Sequence, residues 1–230
     1  MDFLHHLLSY IFSTSFLLGA VNTLWLTIAA QVLAVALGFL LELIRRTNKK
    51  PLIRLEGLYI WLFRGVPVLV QLIFVYSALP QLGIRFTSFQ SALIALTLNE
   101  AAYMAEIIRS GLSSVDHGQQ RAARLLGMKA PQIMRYIILP QAMRVIIPPT
   151  ANQFNGMLKT SALASVVGYS DLLLTAQQTA SANFTYMSTL TAAVVYYMVF
   201  TTGFTMIQNN LEKKLDYDQR PLVLNEEPAQ

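Results

Sequence analysis

Apolar positions in this chain run in long blocks instead of alternating with polar ones. From Phe16 to Ile44 nearly every residue is apolar, with Asn22, Gln31 and Glu42 as the main exceptions. A bilayer-spanning helix needs about 20 such residues, so this block suffices even when tilted. Comparable blocks predict about five spans: Phe16–Ile44, Leu58–Leu79, Phe89–Ile108, a stretch from Val145–Pro148 to Gly168, and Met187–Ile207. Arg64-Gly65-Val66-Pro67 interrupts the second. Ser170–Phe184 is amphipathic and too short to span, which predicts an interfacial or re-entrant helix. The expected fold class is all-α integral membrane, with residues 1–230 as a single transmembrane domain. Within it lie a loop at 109–144 and a polar tail at 215–230.

Composition agrees. The chain has 230 residues, 54% hydrophobic and 13% charged, against about 25% charged in soluble domains. Basic residues mark the cytoplasmic ends of spans. Arg45, Arg46, Lys49, Lys50 and Arg54 lie between the first two spans. Arg109, Arg121, Arg124, Lys129, Arg135 and Arg144 lie between the third and fourth, and Lys213, Lys214 and Arg220 follow the fifth. The opposite loops hold only Arg85. This places the N-terminus outside and the C-terminus inside a bacterial cytoplasmic membrane. The positive balance is thus a topology signal, and no zinc spacing or aromatic-basic platform points to nucleic acid. There are no cysteines, which excludes disulfides and thiolate metal sites. His5-His6 is a weak metal candidate beside a headgroup-level reading, and His117 stands alone. No positive n-region precedes the first block, so it reads as a retained helix.

The loop from Arg109 to Arg144 is far longer than a usual connection of about 4–6 residues, so it is expected to have structure. Gly118 to Leu126 reads as a helix ended by Gly127. Pro131 fits the first turn of a second helix over Gln132–Leu139, which Pro140 closes.

This stretch resembles the coupling loop of ABC-transporter permeases, whose pattern is Glu-Ala-Ala, three residues, Gly, nine residues, Ile, one residue, Leu-Pro. Here Ala122-Ala123, Gly127, Ile137, Leu139 and Pro140 stand at the matching offsets, with Arg121 where the family usually has Glu. Phe63 to Gln71, Leu98 to Arg109, Asn152-Gln153-Phe154 and Lys159 to Leu163 are similar to segments of the polar amino-acid uptake subfamily. The resemblance implies a helix-turn-helix coupling loop on a bundle of five transmembrane helices. It also implies a pore shared with a second permease subunit, the same chain or a different one. Two ATP-binding subunits would carry ATP and Mg, so this chain would hold no cofactor and not be the enzyme. A periplasmic solute-binding protein would deliver the amino acid. Arg121 reverses a charge at the coupling surface and favours a different partner permease that keeps the Glu. Relatives commonly have Asp at the place of Thr160; without it, neutral or acidic polar amino acids are expected over arginine and lysine.

Polar groups at membrane depth are costly and tend to be functional. Spacing of three and four puts Asn99, Tyr103 and Glu106 on one face. Glu106 and Arg109 suit a structural ion pair. Asn99, Glu100 and Tyr103 are candidates for substrate contact, with packing or capping as the alternative. Asn152, Asn155 and Lys159 share a stripe, either pore-lining or bonded between helices; Lys159 could also snorkel to headgroups. Thr160 and Ser161 could offer donors to a carboxylate. The break at Arg64, Gly65 and Pro67 reads as a hinge before a binding site. No phosphate-binding Gly-x-x-x-x-Gly-Lys-Ser/Thr loop, nucleophile elbow or zinc-protease helix occurs, so energy must come from another chain or an ion gradient. An ion-coupled secondary transporter is the alternative, though it would leave the structured loop unexplained and no internal repeat supports it.

Overall fold

The computed structural model describes residues 2–217, and every regular element among them is helical. In chain order the α-helices, joined in places by short π and 3-10 turns, are α1 (Asp2–Ile11), α2 (Thr14–Arg46), α3 (Lys50–Gly65), α4 (Val68–Ile73), α5 (Ser88–Ser113), α6 (His117–Leu125), α7 (Ala130–Ile133), α8 (Leu139–Thr160), α9 (Leu172–Asn183) and α10 (Tyr186–Tyr217). The tail expected over 215–230 lies outside the described residues, except that its first residues extend α10.

Caps fix the long helices. Ser13 accepts from the Phe16 N–H at 3.3 Å to open α2. Thr87 and Gln90 exchange bonds of 3.2 and 3.0 Å to open α5, satisfying donors a helix start leaves free. α2, α5 and α10 are each long and apolar enough to cross a membrane; the bent pair α3–α4 raises the number of candidate spans to up to four. The expected fourth span forms as α8 continued by a 3-10 turn, Ser161–Val167. It is not among the apolar candidates, because Asn152, Gln153, Asn155 and Lys159 interrupt its apolar surface.

α5 is the hub. Of its most apolar stretch 61% is buried, against 11% for α10. It lies along α2 largely through small residues: Ala30, Ala92 and Ala95 in one cluster, Ala34 and Ala101 beside the larger Met104 in the next. Membrane helices pack closely where small residues let backbones approach. At Gly38 the approach is at its limit. A Cβ there would lie 2.7 Å from the Met104 Cβ and 2.9 Å from the Ala105 nitrogen.

The break in the second span is sharp. Val66 is extended, as a residue before proline should be, and α3 and α4 meet at 103°. The carbonyls freed by the break find side-chain donors: Gln71 Nε2 reaches Phe63 O and Val66 O at 3.0 and 2.8 Å, and Asn99 Nδ2 reaches Phe63 O at 2.7 Å. Backbone groups without water must be satisfied this way.

Two points depart from expectation and one expectation is narrowed. α1 was not foreseen. It packs on α10 through Leu7, Tyr10 and Ile11, with Tyr10 bonded to Thr185 just before that helix (2.9 Å), and leaves Phe3, Leu4, Leu8 and Phe12 exposed, the face of an interfacial helix. Ser170–Phe184 forms the short helix expected, and of the interfacial and re-entrant readings its packing agrees with the second: in α9, Leu172, Ala176 and Ala180 are fully buried, and the Leu172 N–H donates to Thr23 Oγ1 at 3.0 Å. Pro140 does not close the second loop helix. A π turn at Met134–Ile138 joins α7 to α8. The wider turn lets the proline ring pass without clashing with the preceding turn, and Gln141 Nε2 donates to Ile137 O at 2.9 Å.

Candidate functional site

α5 and α8 are packed together, and between them is a cavity of about 230 Å³ lined by Asn99, Glu100, Tyr103, Gln153, Gly156 and Thr160, closed by Val68, Leu96 and Met157. The polar lining is unusual in a bundle whose larger groove, about 660 Å³ along α2, α5, α8 and α10, is walled mainly by aliphatic and aromatic side chains. Glu100 is buried and accepts from Gln153 Nε2 at 3.1 Å. No arginine or lysine pairs with it among the described residues. A buried carboxylate facing a cavity with an amide as partner is suited to an ammonium ligand.

The sequence-derived residues divide. Asn99, Glu100, Tyr103 and Thr160 come together in the cavity. Asn99 donates one amide N–H to Phe63 O, which leaves its second N–H and its oxygen for other partners. Thr160 donates to Gly156 O at 3.0 Å and can still accept. Asn152, Asn155, Lys159 and Ser161 are not in the lining. Asn152 and Lys159 are exposed. Asn155 turns to α10, with Thr205 Oγ1 at 3.4 Å and Gln208 Oε1 at 3.3 Å. Ser161 is buried and bonded to Leu158 O at 2.8 Å. The cavity face of α8 is thus Gln153, Gly156 and Thr160, rotated by one residue from the expected stripe. The same spacing of three and four was present there, with Gly156 supplying room.

Beyond the cavity toward the C-terminal end of α5 lies an ion network. Arg109 meets Glu106 at 2.7 Å, Glu42 at 3.3 Å, and Glu56. Arg46 pairs with Glu42 at 2.8 Å and Arg45 with Glu56 at 2.9 Å. The Glu106–Arg109 pair was readable from spacing. Glu42 and Glu56, both buried, were not assigned, although an acid inside an apolar block and four residues before Arg46 was the available signal for Glu42. The hinge arginine also has a contact: the Arg64 guanidinium carbon lies 5.2 Å from the centre of the Tyr103 ring.

The loop after α5 forms a compact hairpin. Asp116 caps α6 through the Gly118 N–H. At the far end Gly127 N–H donates to Arg124 O (3.0 Å) and Met128 N–H to Ala123 O (3.1 Å), with Gly127 at φ +79°. This double closure needs the left-handed conformation that glycine adopts freely. Ala123, Ile133 and Ile138 are buried together, with Ile137 packed against them and Ile108 and Leu112 of α5 in the same cluster. Arg121, Ala122, Gly127, Leu139 and Pro140 are exposed. So are Leu125 and Leu126, at 90% and 82%, which the motif did not single out.

Residues 34–217 match the family described as binding-protein-dependent transport system inner membrane component. The chain is 41% identical to the probable amino-acid permease protein YxeN of Bacillus subtilis over 86% of its length and 90% of that protein. It is 39% identical to the arginine transport system permease protein ArgU of Corynebacterium glutamicum, covering 90% of this chain and 70% of that one. Among solved structures it superposes on the crystal structure of an amino acid ABC transporter with histidines, at a TM-score of 0.86 and 37% identity, over 93% of this chain and 99% of that one.

Proposed function

The chain belongs to the family of inner-membrane components of binding-protein-dependent transport systems, and from that premise we propose that it is the permease subunit of an ATP-driven importer that passes a polar amino acid into the cytoplasm. The observation that carries this reading is the cavity between α5 and α8, with buried Glu100, Gln153, Asn99, Tyr103 and Thr160 around a space of amino-acid size. A ligand leaving a periplasmic binding protein would place its ammonium on Glu100 and its polar atoms on the amides and hydroxyls. Replacing Glu100 by Gln is expected to lower uptake into vesicles carrying the complete transporter by tenfold or more, roughly the loss of one charge-assisted hydrogen bond. Unchanged uptake would remove the cavity from the path.

ATP hydrolysis, with its ATP and Mg, belongs in this reading to separate ATP-binding subunits, two per assembly. The hairpin of α6 and α7 faces them in the cytoplasm, the N-terminus lies outside and the C-terminus inside. The bare apolar pair Leu125-Leu126, beside exposed Arg121 and Ala122, supports the hairpin as the docking element, since large apolar side chains standing free of a fold mark contact surfaces. Arg121 would repel a basic group that meets Glu in relatives, which supports a pore shared with a different permease subunit. Purification from native membranes is expected to bring down an ATP-binding subunit and a second permease polypeptide. A complex holding two copies of this chain alone would remove the mixed pore, and the lack of any ATP-binding subunit would remove the importer.

A further inference from the structure

We propose that the groove along α2, α5, α8 and α10 is a resident lipid site, holding the acyl chains of an anionic phospholipid of the cytoplasmic leaflet with its phosphate on Lys214. The inference rests on the topology and the pore face proposed above. The groove and the amino-acid cavity take different faces of the same two helices. On α5, Leu96, Asn99, Glu100 and Tyr103 face the cavity, whereas Met104, Ile108 and Leu112 line the groove. At 3.6 residues per turn the two faces are centred ~130° apart. A second permease subunit sharing the pore stands on the cavity side, so the groove turns away from it toward lipid.

Size and lining decide what fits. The walls run from Gln31 to Phe39 on α2 and from Met104 to Leu112 on α5, ~12 Å of helix each at 1.5 Å per residue. That lies within the ~15 Å that one leaflet contributes to a ~30 Å apolar core. A space of about 660 Å³ over that length has a cross-section of ~55 Å². A helix with its side chains, ~10–12 Å across, takes ~80–110 Å². The groove is thus too narrow for a partner's helix and open enough for alkyl chains. Its polar side chains donate within the protein: Gln31 to Met104 Sδ at 3.5 Å, Thr150 to Ile146 O at 2.7 Å and Gln208 to Glu212 at 2.9 Å. The rest of the lining is aliphatic or aromatic, a surface that water does not fill.

The charge at the rim sets the headgroup. On α10 the groove face is Phe204, Ile207, Gln208 and Leu211, and Lys214 continues it at the next spacing of three. Lys214 is exposed, and no carboxylate pairs with it among the described residues. A lysine at the cytoplasmic end of a span reaches headgroup level along its alkyl stem and attracts anionic lipid there. Ile108, Leu112 and Ile146 belong both to the groove and to the apolar cluster under the α6–α7 hairpin. A chain lodged in the groove therefore packs against the base of the hairpin. It also supports α10, of whose most apolar stretch only 11% is buried.

The test is native mass spectrometry of the purified permease–ATPase complex, stripped of lipid in detergent and titrated with dioleoyl phosphatidylglycerol or dioleoyl phosphatidylethanolamine. A tightly held phosphatidylglycerol on each copy of this chain is expected, favoured over phosphatidylethanolamine by about fivefold, the attraction of a single lysine near an anionic surface. Ala36 is part of the groove lining, so Ala36→Trp fills the space and should abolish the tight site. Lys214→Gln should keep the site and erase the preference between the two lipids. If Ala36→Trp fails to assemble, Ala36→Leu serves in its place and should weaken the tight site. Tight binding unchanged in the groove-filling variant overturns the proposal, as does a preference that survives Lys214→Gln or a complex with no tightly held lipid. Ala36→Cys that cross-links to a second permease polypeptide also overturns it, by putting a protein where the lipid is placed. Binding is read without uptake or ATP hydrolysis. A chain that purifies with no ATP-binding subunit fails the importer reading and leaves this titration decisive for the groove.

Discussion

At the scale of single residues, buried glutamates stand in two different settings around α5. Glu100 is buried against a cavity with an amide as its partner, whereas Glu42 and Glu56 are buried and paired with Arg109. Removing one member of a buried ionic set strands the others, at about 3–5 kcal/mol. Arg109→Met should cost ~3 kcal/mol, near the low end of that range, because Arg45 and Arg46 still reach the two acids. The expected readout is a lower thermal unfolding midpoint of the purified complex, with partial recovery when Glu42 and Glu56 are also made Gln. An unchanged midpoint would show that the network does not hold α2, α3 and α5 together. The sequence made Glu106–Arg109 legible because both partners lie on one helix. Glu42 and Glu56 come from other helices, and only the tertiary arrangement brings them to Arg109. The stripe of Asn152, Asn155 and Lys159 was left between pore lining and bonding between helices, and Asn155 takes the second role against α10, because periodicity gives the spacing of a face and not which neighbour it meets.

At the scale of elements, the α6–α7 hairpin shows how little of its form depends on packing at the turn itself. A Cβ on Gly127 would meet nothing within 4 Å, so glycine is required there for its backbone angle alone. Gly127→Asp should therefore leave membrane insertion and bundle packing intact while distorting the turn between α6 and α7. ATP hydrolysis is expected to persist with uptake greatly reduced, measured side by side in reconstituted vesicles. Normal uptake in that variant would remove the hairpin from the path of energy transfer. The end of α6 at Gly127 was legible because the sequence signal and the backbone geometry coincide. The fate of Pro140 was not: a proline after a short helix ordinarily stops it, and the π turn that carries the chain onward has no signature in residue type.

At the scale of the whole molecule, long apolar blocks located the spans and the break in the second, since both are set by composition. The short helix α9 was legible as a non-spanning segment, whereas α1 was not, because its buried face is defined by its packing on α10. Orientation is testable in a chain without native cysteines. With Arg85→Cys, a membrane-impermeant maleimide is expected to label intact spheroplasts; with Lys129→Cys, only after permeabilisation. The reverse pattern would invert the proposed topology. One further property follows from α5 being a single unbroken helix with Glu100 in its length and Leu112 against the hairpin cluster. Packed backbone to backbone on α2 at Gly38, it has little slack of its own. In the coupling proposed above, α2 and α5 would therefore shift together, and the timing of substrate release would be set at the hairpin end of the pair.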